Sequence, residues 1–415
     1  MDVEDMDPDR LDHRVRASRI DDDVIVRVAH QVAAFHERSD PALTEPQDAA
    51  ERVRELVQLD VGIKLPGEAA RAEQQQLEFL ERHAERFERR ACEQRVRDVH
   101  GELGLEHIRA PDDEAVQLLD RIAAGTRLRR IDVCADVALL ADELAAEGRA
   151  DLAERFLSAY AAEANDFDLF LLVDFYASLR ATLRAKVELF RADTAPSWAA
   201  AEAHQRHSHR FFALALSARR KPLLPPVVIA TGGQVASGKS TVAHALALAI
   251  GAPIVSSDRT RDFLLGARVD NEPHEIHWER AYEPGFAARV YSEVMRRGEA
   301  VLESGRPLVL DGCFRSRKQR ATARALASSR GLPFKFIDAQ IPESLQRERL
   351  HQRSLRDAEP DATWLAIAAA LRREWESPDE LAPDEHIVVD TSLALDRNIA
   401  ELRTVLPTWP PGLTG

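Results

Sequence analysis

Apolar residues recur three and four positions apart through most of the first half of the chain. The period is clear in the segments Val24–Phe35 and Leu77–Phe87, and runs typical of a β-strand are scarce between Asp21 and Leu216. A repeat of this kind places the apolar side chains on one face of a helix. The pattern therefore predicts a mainly α-helical N-terminal unit.

The helical period ends in the segment Ser217–Pro226, which closes with two prolines. Proline lacks the backbone donor that a helix needs, and it also disfavours helix in the residue before it. We therefore place a domain boundary in this segment. Two domains are predicted, at residues 1–220 and 221–415.

Beyond this boundary, short β-rich runs alternate with amphipathic helical segments. Continuous apolar strands separated by helices are typical of a parallel sheet that is covered on both faces. The predicted fold class is α/β, with a doubly wound parallel-sheet domain that follows the mainly α-helical one. The five predicted strands are Val227–Thr231, Pro253–Ser257, Pro307–Asp311, Phe334–Asp338 and Ile387–Asp390.

Composition and charge narrow the classes of partner. The 415 residues are 45% hydrophobic and 30% charged, and the formal net charge is −14. Nucleic-acid backbones are bound mainly by clustered Lys and Arg, so this charge argues against a general role on nucleic acid. No apolar run approaches the roughly 18 residues that a membrane span needs, and we expect a cytoplasmic protein without a membrane partner. Cys92, Cys134 and Cys313 have neither disulfide-framework nor metal-ligand spacing.

A phosphate-binding loop is the most specific motif in the chain. The segment Gly233–Ser240 matches the pattern G-x-x-x-x-G-K-[ST], with a predicted strand before it and a predicted helix after it. In such a loop the backbone N–H groups wrap a phosphate, the lysine reaches the β- and γ-phosphates, and the hydroxyl binds Mg²⁺. Ser240 is therefore also a predicted magnesium ligand. The predicted ATP-binding residues are Gly233, Gln234, Val235, Ala236, Ser237, Gly238, Lys239, Ser240 and Thr241.

The second predicted strand leads into a carboxylate and a guanidinium three residues apart, Asp258 and Arg261. Open α/β sheets bind ligands at the carboxyl ends of their strands, which is where this pair is expected. Asp258 would accept the proton of a substrate hydroxyl, and Arg261 would orient a polar or anionic substrate. The alternative is that Asp258 caps a helix while Arg261 is solvated.

Three more residues are expected around the transferred phosphate. Asp311 ends the third predicted strand, and its expected role is to hold Mg²⁺ through water or to position the nucleophile. Arg349 and Arg353 lie four apart on one face of a predicted helix, suited to closing over ATP and stabilising charge on the transferred group. A turn aspartate and solvated arginines are the alternatives. Together with Lys239, Asp258 and Arg261, these residues form the predicted catalytic set.

These motifs together resemble those of the gluconate-kinase-like and zeta-toxin-like P-loop kinases, from about residue 225 to the end of the chain. The resemblance rests on the loop, the Asp258 and Arg261 pair, the segment Leu310–Phe314 with Gln319–Arg320 after it, and the arginine helix. It implies an AAA-type ATP-binding domain in which Asp258 acts as base or substrate ligand and the later arginines form a lid. The resemblance indicates the class of reaction more reliably than it indicates the substrate.

The N-terminal half resembles a different kinase family. The segment Val96–Ile108 resembles the catalytic loop of aminoglycoside-phosphotransferase-like kinases, Leu118–Asp120 resembles their magnesium-binding aspartate strand, and Arg130–Leu140 resembles the helix that follows it. Phe175–Val187 continues the match. The order resembles that of bacterial two-domain proteins that join such a domain to an AAA-type ATP-binding domain.

This N-terminal segment departs from the kinase pattern in ways that bear on activity. The catalytic aspartate position carries Glu102, and Gly104 stands where the motif has its second histidine. A misplacement near one ångström can cost on the order of a hundredfold in rate. No Gly-rich loop precedes Lys64, and no β-rich amino lobe is evident. We predict a degenerate kinase C-lobe that serves as a docking surface for substrate or a protein partner, with weak metal binding at Glu102 and Asp120 or a plain helical bundle as alternatives.

Three functions follow from this reading of the sequence. The first is an ATP-dependent kinase that acts on a small-molecule hydroxyl through the P-loop half. A nucleic-acid 5′-hydroxyl kinase would need a basic groove and stacking aromatics, whereas the chain is acidic and only 6% aromatic. The third is an ATPase whose nucleotide state switches how the N-terminal half meets a partner.

Overall fold

The computed structural model describes residues 7–42, 45–121, 127–217, 224–266, 284–357 and 361–406. The chain divides into two compact units, Met1–Lys221 and Pro222–Gly415. Within the described ranges, no helix is both long enough and apolar enough to cross a membrane.

The N-terminal unit is mainly helical, as the apolar period predicts. The side chain of Asp21 caps the second helix by accepting from Val24 N at 2.9 Å, and the apolar face of that helix is buried. The last two helices form a hairpin. The described helices are α1 (Leu11–Arg16), α2 (Asp22–Arg38), α3 (Ala49–Val57), α4 (Gly67–Cys92), α5 (Cys134–Ala146), α6 (Ala150–Glu163), α7 (Val173–Asp193) and α8 (Trp198–Ser217).

Two small antiparallel pairs interrupt the helices. Strand β1 (Val96–Asp98) pairs with β4 (Arg130–Asp132), and β2 (Ile108–Arg109) pairs with β3 (Gln117–Leu118). The prediction that Arg130–Leu140 forms one helix is therefore wrong for its first residues. The reason is that they complete a backbone ladder with β1, so α5 begins only at Cys134.

A buried ionic cluster fixes the end of α4 against β4. The Arg90 guanidinium is 2% exposed and donates to Asp132 at 2.6 Å and to Asp166 at 2.7 Å. Burial acts to raise the pKa of Asp166, but the charge of Arg90 prevails and lowers it to about 2. A buried charge of this kind is tolerated only when it is paired, so the two aspartates keep Arg90 at the junction of α4 and β4.

The C-terminal unit has the predicted doubly wound α/β fold. Its described strands are all parallel and are arranged in the order β6-β7-β5-β8-β9. They are β5 (Val228–Gly233), β6 (Ile254–Ser256), β7 (Leu308–Asp311), β8 (Phe334–Gln340) and β9 (His386–Asp390). The described helices are α9 (Lys239–Ala249), α10 (Ser257–Leu265), α11 (Pro284–Glu303), α12 (Arg317–Ser328), α13 (Glu343–Asp357), α14 (Asp361–Arg373) and α15 (Leu395–Leu402).

Helices cover both faces of this sheet because neighbouring residues of a strand point to opposite sides. On one side, Val309 of β7 packs in a buried cluster with Leu246 of α9 and Leu402 of α15. On the other side, Leu308 and Leu310 approach Gly298 of α11. With both faces covered, the carboxyl ends of β5, β6 and β7 are left at one edge, where the predicted site residues follow the strands.

Candidate functional site

The phosphate-binding loop joins β5 to α9 through a tight turn that requires glycine at two positions. Gly233 has a φ of +141°, and a Cβ placed on it would lie 2.6 Å from the carbonyl oxygen of Ala339. Gly238 has a φ of +83°, and its Cβ would lie 2.9 Å from Nη1 of Arg349. Only glycine adopts these conformations without strain, so the loop can turn directly into the N-terminus of α9 at Lys239.

The loop is held in place by side chains from later in the chain. Gln346 of α13 donates to the carbonyl oxygen of Val235 at 2.7 Å, and the hydroxyl of Thr391, just after β9, donates to the carbonyl oxygen of Ser237. The Val235 side chain is buried against apolar residues of α13 and α14, namely Leu350, Trp364 and Ala368.

The remaining predicted loop residues differ in backbone conformation and exposure. Gln234 accepts from Ser237 N at 3.1 Å through its carbonyl oxygen, and Ala236 has a φ of +60°, a left-handed conformation that is uncommon for a residue with a side chain. Thr241 is exposed in the first turn of α9.

The two predicted magnesium ligands lie next to each other. The Ser240 hydroxyl donates to Oδ1 of Asp311 at 3.1 Å, and Thr231 Oγ1 lies 3.5 Å from the same oxygen. Asp311 is 4% exposed, and burial raises the pKa of this carboxyl despite the opposing effects of Lys239 and Ser240. A hydroxyl and a carboxylate are the hard oxygen ligands that Mg²⁺ prefers, so the residues present fit this ion.

A cleft adjoins the loop. It brings together four of the six predicted catalytic residues: Lys239, Asp258, Arg261 and Arg353. Sequence reasoning missed much of the remaining lining, because these residues come from α11, the segment after β7 and α14. The missed polar and aromatic residues are Tyr291, Cys313, Arg315 and Trp364.

Asp258 and Arg261 form an ion pair within the cleft, on the first turns of α10. The distance from Arg261 Nη1 to Asp258 Oδ1 is 2.6 Å, and the Asp258 side chain is half exposed. Burial acts to raise the pKa of Asp258, but Arg261 and Lys239 outweigh it and hold the pKa below its usual range. The side chain that caps α10 is Ser256, which accepts from Arg259 N, so Asp258 is not the helix cap.

The two predicted lid arginines reach the loop by different routes. Arg353 lines the cleft with its guanidinium 4.0 Å from the centre of the Trp364 ring. Arg349 donates to the carbonyl oxygen of Thr391 at 2.8 Å and approaches Gly238. Arg347 forms an exposed pair with Glu343. The shared helix face of Arg349 and Arg353 therefore lies toward the loop, with only Arg353 in the cleft.

The missed residues line the same cleft. The Tyr291 hydroxyl accepts from Phe314 N at 3.1 Å, and burial raises the pKa of this tyrosine well above its usual value. Arg315 pairs with Glu374 at 2.7 Å. Its position four residues after Asp311, just beyond a predicted strand, is a sequence signal that could have identified Arg315. Arg320 is instead structural, because it is fully buried and pairs with Glu380 at 2.6 Å.

The catalytic-loop-like segment of the N-terminal unit is anchored by a buried carboxylate. Asp136 has no exposed surface, and it accepts from the backbone N–H groups of His100 at 2.8 Å and Gly101 at 3.0 Å. Arg180 and His36 each approach it at 3.4 Å. Two backbone N–H groups of this loop are therefore already hydrogen-bonded to a side chain of the protein.

The other candidate residues of the N-terminal unit lie at the surface. Glu102 and Asp120 are both exposed, and Asp120 has a φ of +54°. Lys64 is exposed in the connection between α3 and α4, which has no strand. Among the described residues, neither Glu102 nor Asp120 belongs to a cluster of side chains that could bind a metal ion.

Comparisons with known proteins agree with the fold of the C-terminal unit. Residues 228–374 match the family model described as AAA domain. Uncharacterized proteins of Mycobacterium tuberculosis and Mycobacterium bovis are 30% identical over 300 residues, which is 72% of this chain. The match covers 59% of those relatives' own length.

Among solved structures, a gluconokinase from Sinorhizobium meliloti 1021 is 20% identical, covering 44% of this chain and 90% of that chain with a TM-score of 0.29. The Mycobacterium tuberculosis APS kinase CysC in complex with AMPPNP and APS is 19% identical, covering 44% and 97% of the two chains with a TM-score of 0.32. The P-loop and the match of residues 228–374 to the AAA domain model agree that the C-terminal unit contains a nucleotide-binding P-loop fold.

Proposed function

We propose that this protein transfers the γ-phosphoryl group of ATP to a hydroxyl group of a small molecule. The observation that carries the proposal is the single cleft shared by Lys239 and the Asp258–Arg261 pair. In this proposal Lys239 binds the terminal phosphate and Asp258 binds the acceptor hydroxyl, which their common cleft supports. An enzyme that only hydrolyses ATP has no need of such an acceptor site.

The nucleotide side of this cleft is supplied by the loop and the start of α9. The first N–H groups of a helix have no partner within it, so those at the start of α9 are available to phosphate oxygens. Lys239 remains charged, because the pKa is raised by Cys313, Asp258 and Asp311 against the effect of burial. Ser240 and Asp311 would hold Mg²⁺, which supplies charge neutralisation on the β- and γ-phosphates.

The acceptor side is supplied by Asp258. Its lowered pKa keeps the carboxylate ionised, so it can accept a hydrogen bond from the acceptor hydroxyl and fix the direction of attack. A loose transition state for phosphoryl transfer asks for little proton removal before the bond to phosphorus forms. Asp258 therefore orients the hydroxyl first and takes its proton late. Arg353 lines the same cleft and is placed to stabilise charge on the transferred group.

The charge of the chain favours a small molecule over a nucleic-acid end. Binding of a nucleic-acid strand depends on many Lys and Arg contacts to phosphates, whereas the chain carries a net charge of −14. The acceptor is therefore expected among sugars, aminoglycosides and nucleosides.

Steady-state ADP release tests the proposal. The purified full chain is assayed with Mg-ATP alone and with sugars, aminoglycosides, nucleosides or RNA 5′ ends. The proposal expects one acceptor class to raise ADP release, with a saturable dependence on acceptor concentration. Equal ADP release with every acceptor and with none would instead support the nucleotide-dependent switch.

For the N-terminal unit we propose a degenerate kinase C-lobe, like that of aminoglycoside phosphotransferases, that serves as a recognition surface. The proposal is supported by the Asp136 anchor beneath the His100–Gly101 turn and by the exposed Glu102 in the catalytic position. Full-chain Lys239→Ala tests it by calorimetry, since this variant should lose all tight ATP binding. Micromolar ATP binding that survives in Lys239→Ala would show a second nucleotide site and contradict the proposal.

A further inference from the structure

The hairpin of α7 and α8 carries a cluster of metal-ligand side chains that the proposed function does not use. Glu188 lies near the end of α7, and His204 and His207 lie three residues apart on α8. One ligand atom from each residue lies within 4.8 Å of the other two. Residues three apart on a helix share a face, which explains why both imidazoles reach the same carboxylate.

The individual distances show that one carboxylate oxygen is the centre of this cluster. Oε2 of Glu188 lies 2.7 Å from Nδ1 of His204 and 3.7 Å from Nδ1 of His207. The other oxygen, Oε1, accepts from Arg191 at 2.8 Å. Arg191 therefore holds the far side of the carboxylate and leaves Oε2 directed at the two imidazoles.

The Glu188 carboxylate is shielded from solvent and held in one orientation. The residue is 7% exposed, so its carboxylate has little water around it. A shielded carboxylate with a fixed orientation loses little freedom when it binds a cation.

We propose that Glu188, His204 and His207 bind one divalent transition-metal ion, with Zn²⁺ the best match. Two imidazole nitrogens and one carboxylate oxygen suit Zn²⁺, whereas Mg²⁺ and Ca²⁺ prefer all-oxygen sites. Tetrahedral Zn²⁺ needs ligand atoms about 3.3 Å apart at its usual bond lengths. The 3.7 Å pair must close slightly, which the 63% exposed His207 side chain can do by a small rotation. The 2.7 Å pair must open, which requires a small movement of the 33% exposed His204 side chain.

Arg191 becomes an outer partner of the metal site. It keeps its bond to Oε1 while Oε2 binds the ion, and it orients the carboxylate as carboxylate partners orient histidine ligands elsewhere. Three protein ligands leave a fourth position for water or another ligand, as in open zinc sites. The ion would join α7 to α8 beside their connection and stabilise the hairpin, because the unfolded chain does not hold the three ligands together.

Metal titration of the full chain tests the proposal. The protein is treated with EDTA, dialysed, and titrated with ZnCl₂ by calorimetry in the absence of nucleotide. A matched control is His209→Ala, which removes an exposed histidine of α8 that lies near Glu68 instead. The proposal expects one Zn²⁺ per chain, with affinity lowered by more than about tenfold in His204→Ala, His207→Ala and Glu188→Gln, and unchanged in His209→Ala.

Two further measurements separate this site from other metal ligands. CoCl₂ should give visible absorption bands without the intense near-ultraviolet band of a thiolate, which would reveal the exposed Cys92 as the ligand. Zn²⁺ should raise the midpoint of thermal unfolding in the parent and in His209→Ala but not in His207→Ala. Unchanged Zn²⁺ affinity in the His204→Ala/His207→Ala double variant, equal loss in His209→Ala, or a thiolate band would each overturn the proposal.

Discussion

Two glycine-containing loops, one in each unit, use their backbone N–H groups in opposite ways. In the N-terminal unit the donors of His100 and Gly101 are taken by the buried carboxylate of Asp136. In the C-terminal unit the phosphate-binding loop runs into α9 at Lys239, where the first N–H groups of the helix have no internal partner. The first loop uses these two donors within the protein, whereas the first N–H groups of α9 are left for a ligand.

This difference indicates which loop carries chemistry. A loop whose donors are satisfied internally contributes to stability, and its conformation does not depend on a ligand. A loop with unused donors must be held by other groups, which here are the side chains of Gln346 and Thr391. Substitutions around Asp136 should therefore affect stability, whereas substitutions around Lys239 should affect ATP binding and turnover.

The largest effect is expected for Lys239→Ala. Loss of the charge at the β- and γ-phosphates should lower turnover by about a thousandfold and weaken Mg-ATP binding, since single electrostatic contacts in active sites carry effects of this order. Calorimetry and ADP release measure both quantities. Lys318→Ala, which removes an exposed lysine of α12, is the control and should behave as the parent. Parent-like ATP binding and turnover in Lys239→Ala would contradict the assignment of the open loop.

The next effect in size is expected for Asp258→Asn. Phosphoryl transfer to the acceptor should fall by about a hundredfold, the usual order of a proton-accepting group, while ATP affinity should change little. The reason is that the proposed mechanism assigns Asp258 to the acceptor and the loop to the nucleotide. Asp262→Asn, four residues along the same helix and exposed, is the matched control. Loss of ATP binding in Asp258→Asn would assign the residue to the nucleotide site instead.

A smaller effect, confined to stability, is expected for Asp136→Asn. The amide has a single acceptor oxygen, so it leaves one loop N–H group and the Arg180 charge without a full partner. A buried group left in this state costs about 2 kcal/mol. The N-terminal unit is recognised by an unfolding transition whose midpoint ATP does not shift. That midpoint should fall in Asp136→Asn, while the affinity for ATP is unchanged. Weakened ATP binding in this variant would show that the two units depend on each other.

The smallest effect concerns pH and His100. Burial lowers the pKa of His100, although its bond to Leu119 and the charge of Asp136 act in the opposite direction. The unfolded chain, with a histidine pKa near about 6.5, then binds more protons than the folded chain, so stability is lost as pH falls below that value. His100→Gln should reduce this loss. The test compares the unfolding midpoints of the parent and His100→Gln at about pH 7.5 and about pH 5.5. If the midpoint falls equally in both proteins between these pH values, His100 is not the cause.

The sequence predicts the parts of this molecule that depend on neighbouring residues. The P-loop is a contiguous motif, and the strands of the C-terminal sheet are apolar runs, so both could be found without a structure. Tyr291 and Trp364 could not be assigned to the cleft, because they reach it only through the packing of α11 and α14. The strands β1 to β4 have two or three residues each, too few to show an alternation.

The destination of the γ-phosphate tests the central claim most directly. The full chain and Asp258→Asn are incubated with γ-labelled ATP, Mg²⁺ and each candidate acceptor, and label in the acceptor is separated from label in inorganic phosphate. The proposed kinase predicts that the parent places label on the hydroxyl of one acceptor class, and that Asp258→Asn loses this product while it still binds ATP. Label recovered only as inorganic phosphate, at the same rate with every acceptor and in both proteins, would contradict it.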